Sequence, residues 1–95
     1  MAGYIIVDVQ IKDPVAYERY KASVPATLAA FGGKFIVRDG PAETQEGDWE
    51  PNRIVVLEFE SVSRAKEWWA SEDYAAPKLL RQSSSMTRMI VVEGA

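Results

Sequence analysis

Aliphatic side chains occupy both parities of the strand-like stretches of this chain. Residues 4–11, Tyr-Ile-Ile-Val-Asp-Val-Gln-Ile, place Ile5, Val7, Val9 and Ile11 on one side of a strand by their period of two. The even-numbered side is apolar as well, with Ile6, Ile36, Ile54, Val56, Ile90 and Val92 across the four stretches. A sheet with two apolar faces needs two covers. The chain is 95 residues long, which makes one domain, residues 1–95. A domain of that size buries only roughly 60–65% of its unfolded surface, so its own core is thin. Its sequence holds no cysteine and no histidine, which removes disulfides and thiolate or imidazole metal sites as sources of support. A second copy is the remaining support. Covering about 500 Å² of apolar area per subunit contributes on the order of 12 kcal/mol before entropic costs. The expectation is a homodimer whose two sheets face each other as a barrel.

The order of elements follows from local signals. After the first strand, Asp13-Pro14 starts a helix, with Asp as N-cap and Pro at the first helical position. Tyr17, Tyr20, Val24, Leu28 and Phe31 form its apolar stripe, and Gly32-Gly33 close it. Pro25 interrupts that stripe, which predicts a kink or a break near Ser23. Lys34–Arg38 is a short strand, Asp39–Asn52 a polar excursion that carries Trp49, and Arg53–Glu60 the clearest strand. Ser61 or Ser63 caps a helix to about Ala70, with Ala65, Trp68 and Trp69 inward. Ser71–Tyr74 reads as a turn, a second short helix follows from about Pro77, and Met86–Glu93 is the last strand. The result is β-α-β-β-α-β, the ferredoxin-like α+β arrangement: an antiparallel sheet with helices on one face.

Strand period alone places Asp8, Arg38, Glu58 and Arg88 on the even side, one charge per strand. Charges among aliphatic residues are costly unless paired, so the set is either a salt-bridge network that fixes dimer register or a site. As a site, Arg38 and Arg88 bind an anionic or carbonyl ligand, and a desolvated Asp8 or Glu58 accepts a proton. Tyr20, Trp69 and Tyr74 are further ligand-binding candidates. Tyr20 and Trp69 sit at helical spacings that ordinarily mean core; the Tyr74 hydroxyl, in a capped turn, can face a cleft. Trp49 reads as a lid or dimer-packing residue, and Arg53 and Arg81 as surface or capping charges.

Several functions are excluded or disfavoured. A Ser-His-Asp triad and a cysteine nucleophile are impossible without His and Cys. Gly32-Gly33 lacks dinucleotide or P-loop spacing, and no Asp-x-Asp cluster suggests a metal, so neither cofactor nor metal is predicted. The net charge of −3 with interspersed signs opposes a nucleic-acid partner. An RNA-recognition sheet of this order would show aromatics beside basic residues, whereas Val55-Val56-Leu57-Glu58-Phe59 is aliphatic and acidic. Met1–Asp8 has no basic region typical of a signal peptide, and no apolar run approaches a membrane span. A cytoplasmic location is expected.

Taken in order, certain segments resemble a known family over essentially the whole chain. They are Tyr4–Asp8, Asp13-Pro14 with Tyr17 and Tyr20, Gly32–Arg38, Glu46-Gly47-Asp48-Trp49, Arg53–Phe59, Ser71–Tyr74 and Arg88–Gly94. The family is domain of unknown function 1330. The resemblance implies a dimeric α/β barrel, and its recurrent polar positions fall here on Asp8, Arg38, Glu58, Tyr74 and Arg88. Pro77 departs from the family pattern, where a helix former is more usual. Wider structural relatives include cofactor-free monooxygenases, lactone isomerases and haem enzymes. The haem branch ordinarily uses a His that this chain lacks. Two readings stay open: a binder or cofactor-free enzyme (proton-transfer, isomerase or monooxygenase-like) for a small metabolite, and a non-catalytic dimer whose strand charges set register.

Overall fold

In the computed structural model, which describes residues 1–95, seven elements follow one another: β1 (Gly3–Ile11), α1 (Pro14–Ala30), β2 (Lys34–Arg38), β3 (Arg53–Phe59), α2 (Val62–Ala70), α3 (Glu72–Ser84) and β4 (Ser85–Glu93). The strands form one sheet in the order β2-β3-β1-β4, every neighbouring pair antiparallel. The odd-numbered residues of β1 and β3, among them Ile5, Val7, Val9, Val55, Leu57 and Phe59, are buried against the helices. α1 supplies Tyr17, Tyr20, Val24 and Leu28, α2 supplies Ala65 and Trp68, and α3 supplies Tyr74. This is the ferredoxin-like α+β fold.

The opposite face has no cover within the chain. Ile90 and Met86 remain 59% and 62% exposed, and Val92, Ile36 and Val37 are exposed with them. No helix is long and apolar enough to cross a membrane.

Three local readings are corrected. Pro25 lies inside an unbroken α1. It removes only the one hydrogen bond its own N–H would have made, and the apolar stripe on both sides of it packs on the sheet. Pro77 likewise sits inside α3, which starts five residues earlier than its proline suggested. The stronger signal there is the cap: the Tyr74 N–H donates to Ser71 Oγ at 3.2 Å, and Glu72 and Asp73 occupy the positive first turn. The third correction is in β2. Phe35 pairs with Leu57 but Val37 pairs with Val56, so Ile36 is an extra residue, a β-bulge. Beyond it the parity flips, and Arg38 stands opposite Val55 on the helix-side face, away from Asp8, Glu58 and Arg88.

Helix ends are closed as their sequences require. The Ala16 N–H donates to Asp13 Oδ1 at 3.1 Å, and that of Arg64 to Ser61 Oγ at 3.1 Å. At the other end of α1 the Gly33 N–H reaches Leu28 O at 2.9 Å, with Gly32 at φ +69° making the left-handed turn.

Candidate functional site

The structure divides the candidate residues between the two faces of the sheet. Glu58 stays on the open face, where it accepts a hydrogen bond from Tyr4 Oη at 3.0 Å and pairs with Lys34 Nζ at 3.1 Å. The hydrogen-bonded Lys34 ammonium and then the Tyr4 hydroxyl hold its carboxyl below the ordinary value, and the same carboxylate raises the Tyr4 phenol. A carboxylate so stabilised is a weaker base than a free one. Asp8 is on this face too and tethers the polar excursion. It accepts from Trp49 Nε1 at 3.1 Å and from the Asn52 N–H at 3.0 Å. Arg88 is the cross-strand partner of Asp8, yet no ion pair within 4 Å engages it.

On the helix side, Tyr20, Tyr74 and Arg81 form a buried chain. The two tyrosine hydroxyls are 2.7 Å apart, and Arg81 Nε donates to Tyr74 Oη at 3.2 Å. Since Tyr74 is fully buried and already accepts from Arg81, its own proton is satisfied only by donating to Tyr20 Oη. The Tyr20 proton is then left for the cavity that Tyr20 lines. Burial, and next the neighbouring Tyr74, push the Tyr20 phenol far above its ordinary value, so it is a donor and not a phenolate. Burial also raises Tyr17, against the opposing pull of Arg53.

Arg81 is not the surface or capping charge that its sequence context suggests. It is only 5% exposed, and no carboxylate lies within 4 Å of it. Its signal is the seven-residue spacing from Tyr74, two helical turns, which puts both on one face once α3 starts at Glu72. Arg53 is also no surface charge. It pairs with Asp39 at 2.6 Å beside the Tyr17 ring, and its Nε is buried without a partner.

Two spaces adjoin this chain. A small cavity of about 30 Å³ lies between the sheet and the helices. Its wall is aliphatic and aromatic except for Lys21, Arg38, Arg53 and Arg81; no Asp or Glu lines it. Arg38 is held there over the Phe35 ring, 4.2 Å from its centroid. A groove of about 570 Å³ lies outside it, between α2, α3 and β4, and includes Trp69. Arg81 and Met89 line both spaces and form the wall between them. No three carboxylates gather as a metal cage. Thus Tyr20 and Tyr74 come together with Arg81, Arg38 lines the same cavity from β2, Trp69 borders the groove, and Asp8, Glu58 and Arg88 stand on the far face.

Fold and site together define a small ferredoxin-like α+β domain with a cationic interior cleft. The chain belongs to the family described as domain of unknown function (DUF1330), whose profile matches residues 2–95. Solved structures of the same fold include a protein of unknown function from Rhodopseudomonas palustris, at TM-score 0.80 and 17% identity, covering 99% of this chain and 82% of that one. Another is SnoaB, a cofactor-independent oxygenase from Streptomyces nogalater, at TM-score 0.67 and 11% identity over 99% and 93% of the two chains. A third is a dimeric ferredoxin-like protein of unknown function from Jannaschia sp., at TM-score 0.67 and 13% identity over 99% and 100%. No curated protein matches the sequence.

Proposed function

We propose that this chain works as a homodimer that binds a small anionic or carbonyl-containing metabolite on the helix side of its sheet, with Arg81 as the anion-facing group and Arg38 in the cationic wall behind it. The observation that carries this reading is the acid-free wall of the cavity. A chain with more acids than bases, net −3, lines one space with four cationic side chains and no carboxylate; Lys21 and Arg53 pair outside that wall with Glu18 and Asp39, whereas Arg38 and Arg81 have no acid partner. A buried guanidinium without a counter-charge is costly, and an anionic ligand offsets that cost. The Tyr20 hydroxyl supplies a neutral donor to the same space.

Asp8 and Glu58 face away from the cavity, so a proton acceptor for chemistry there has to come from the ligand or from water. The reading is therefore one of binding and electrostatic stabilisation, and no reaction is assigned. The likeness to a cofactor-independent oxygenase supports a shared fold, not a shared activity.

The dimer reading rests on the uncovered apolar face, and the dimeric relative from Jannaschia sp. is consistent with it. Arg88 has no acid partner within its own chain, as expected of a charge that pairs across a dimer interface and sets its register.

Thermal-shift screening against small carboxylates and carbonyl metabolites tests the reading. A ligand at one hundred times its dissociation constant adds about 2.7 kcal/mol, a shift of many degrees in a domain this small. Arg81→Met should abolish the shift and Arg38→Met should weaken it, while the protein stays folded and dimeric. A library without a hit, or hits unaffected by both substitutions, overturns the ligand reading and leaves the register-setting dimer.

A further inference from the structure

Resting on Arg81 as the anion anchor, we infer that the ligand is an amphipathic carboxylate whose acid group meets Arg81 and whose aliphatic or aromatic body lies in the groove between α2, α3 and β4. Size is the first reason. The interior cavity, about 30 Å³, holds little more than a water molecule. The groove, about 570 Å³, falls within the range of ordinary metabolite pockets. A ligand with any bulk can touch Arg81 only from the groove side.

The donor geometry agrees. Arg81 gives Nε to Tyr74 and makes no other side-chain hydrogen bond, which leaves the protons of both terminal nitrogens for a two-oxygen acceptor. The backbone of this residue is also fixed, because Ser85 Oγ donates to Arg81 O at 2.6 Å. The anchor is therefore held at both ends before any ligand arrives.

The groove wall specifies the rest of the ligand. Ile5, Trp69, Met89 and Val91 are apolar, and Trp69 and Val91 stay 42% and 38% exposed in the chain. The polar lining residues are Lys66, Arg81, Gln82, Ser85 and Thr87, and none is acidic. Such a wall favours a negative head with a greasy body and disfavours a cation. Lys78 Nζ lies 3.8 Å from the Trp69 ring centroid and donates to Trp69 O at 3.0 Å, which steadies that indole at the groove mouth.

The test uses straight-chain carboxylates from acetate to octanoate, with octanamide as the uncharged control, titrated into the intact protein by calorimetry. Affinity should rise about fourfold for each methylene buried in the groove, and the amide should bind at least tenfold more weakly than octanoate. Trp69→Ala should reduce the gain per methylene while leaving acetate binding unchanged. Val91→Glu, at an exposed position that tolerates a charge, should weaken octanoate at least tenfold without changing the circular dichroism. Acetate binding with no dependence on chain length overturns the groove inference and leaves the Arg81 anion reading intact. Octanamide binding as tightly as octanoate also overturns it, since the apolar sheet face would then suffice. Failure of every carboxylate to bind sinks both.

Discussion

Replacing Arg81 and Tyr74 separately should have very unequal consequences, although they share one hydrogen bond. Tyr74→Phe removes the acceptor of Arg81 Nε at 3.2 Å and the partner of Tyr20 at 2.7 Å. One donor, on a buried cation, and one acceptor, the Tyr20 hydroxyl oxygen, then lack a protein partner. Each unsatisfied buried group costs about 1–3 kcal/mol, more when charged, so a loss of roughly 3–5 kcal/mol is expected. Arg81→Met loses one charge-assisted bond, about 1.5–3 kcal/mol. It also relieves the desolvation of a guanidinium that is 5% exposed with no carboxylate near it, a cost of several kcal/mol. These oppose each other, and the net change should lie within about 1 kcal/mol of zero.

The double variant should be less damaged than Tyr74→Phe alone, because no cation is left stranded. The coupling between the two sites is therefore expected at about 2 kcal/mol or more. Urea unfolding followed by tryptophan fluorescence at one fixed protein concentration measures all four proteins, with the m-value checking that unfolding exposes the same surface. A loss above about 3 kcal/mol for Arg81→Met, or strict additivity in the double variant, would refute the claim that Arg81 is an uncompensated charge kept for a ligand.

Three other outcomes are expected. Ile90→Lys places a charge in the middle of the uncovered face, where Ile90 is 59% exposed, and should give monomers by sedimentation with unchanged circular dichroism; a monomeric wild type would remove the basis of the prediction. Glu58 is lowered below its ordinary 4.5 in the folded state, so between the two values the unfolded chain binds more protons and stability rises with pH. That contribution is complete above about 4.5 and fades as pH falls through the lower folded value; Glu58→Gln should flatten this part of the acid-unfolding curve. Trp49→Phe deletes one of the two hydrogen bonds that hold the excursion to Asp8, and limited proteolysis should cut within residues 41–52 faster than in the wild type.

Most of the fold was legible because it rests on short-range signals. The period-two aliphatics of β1 and β3, Asp13-Pro14 at the start of α1 and Gly32-Gly33 at its end each fix an element without knowledge of the rest. The two prolines were overvalued. A proline inside a helix forfeits one backbone bond, and packing on either side of Pro25 and Pro77 outweighs that local cost. The apolar face opposite the helices was legible for the same reason as the strands. Its cover was not, since nothing in a single chain shows what meets it.

The site was harder to read because it depends on phase, not on pattern. Ordinarily the hydrophobic alternation of a strand pins its register, because a slip by one residue would put apolar groups in water. Here both faces are apolar, so the extra residue at Ile36 moves Val37 to the open face without an obvious penalty. The residue displaced with consequence is Arg38, which crosses to the helix side and joins the cationic wall of the cavity. The same dependence on phase hid Arg81: a helix begun at Pro77 sets no relation to Tyr74, whereas one begun at Glu72 stacks them two turns apart. In a sheet built to be covered twice, aliphatic residues report that a strand exists and charged residues report which way it faces. Of those charged positions, Arg81 is the one whose side chain the proposed ligand must meet, and Arg38 stands in the cationic wall behind it.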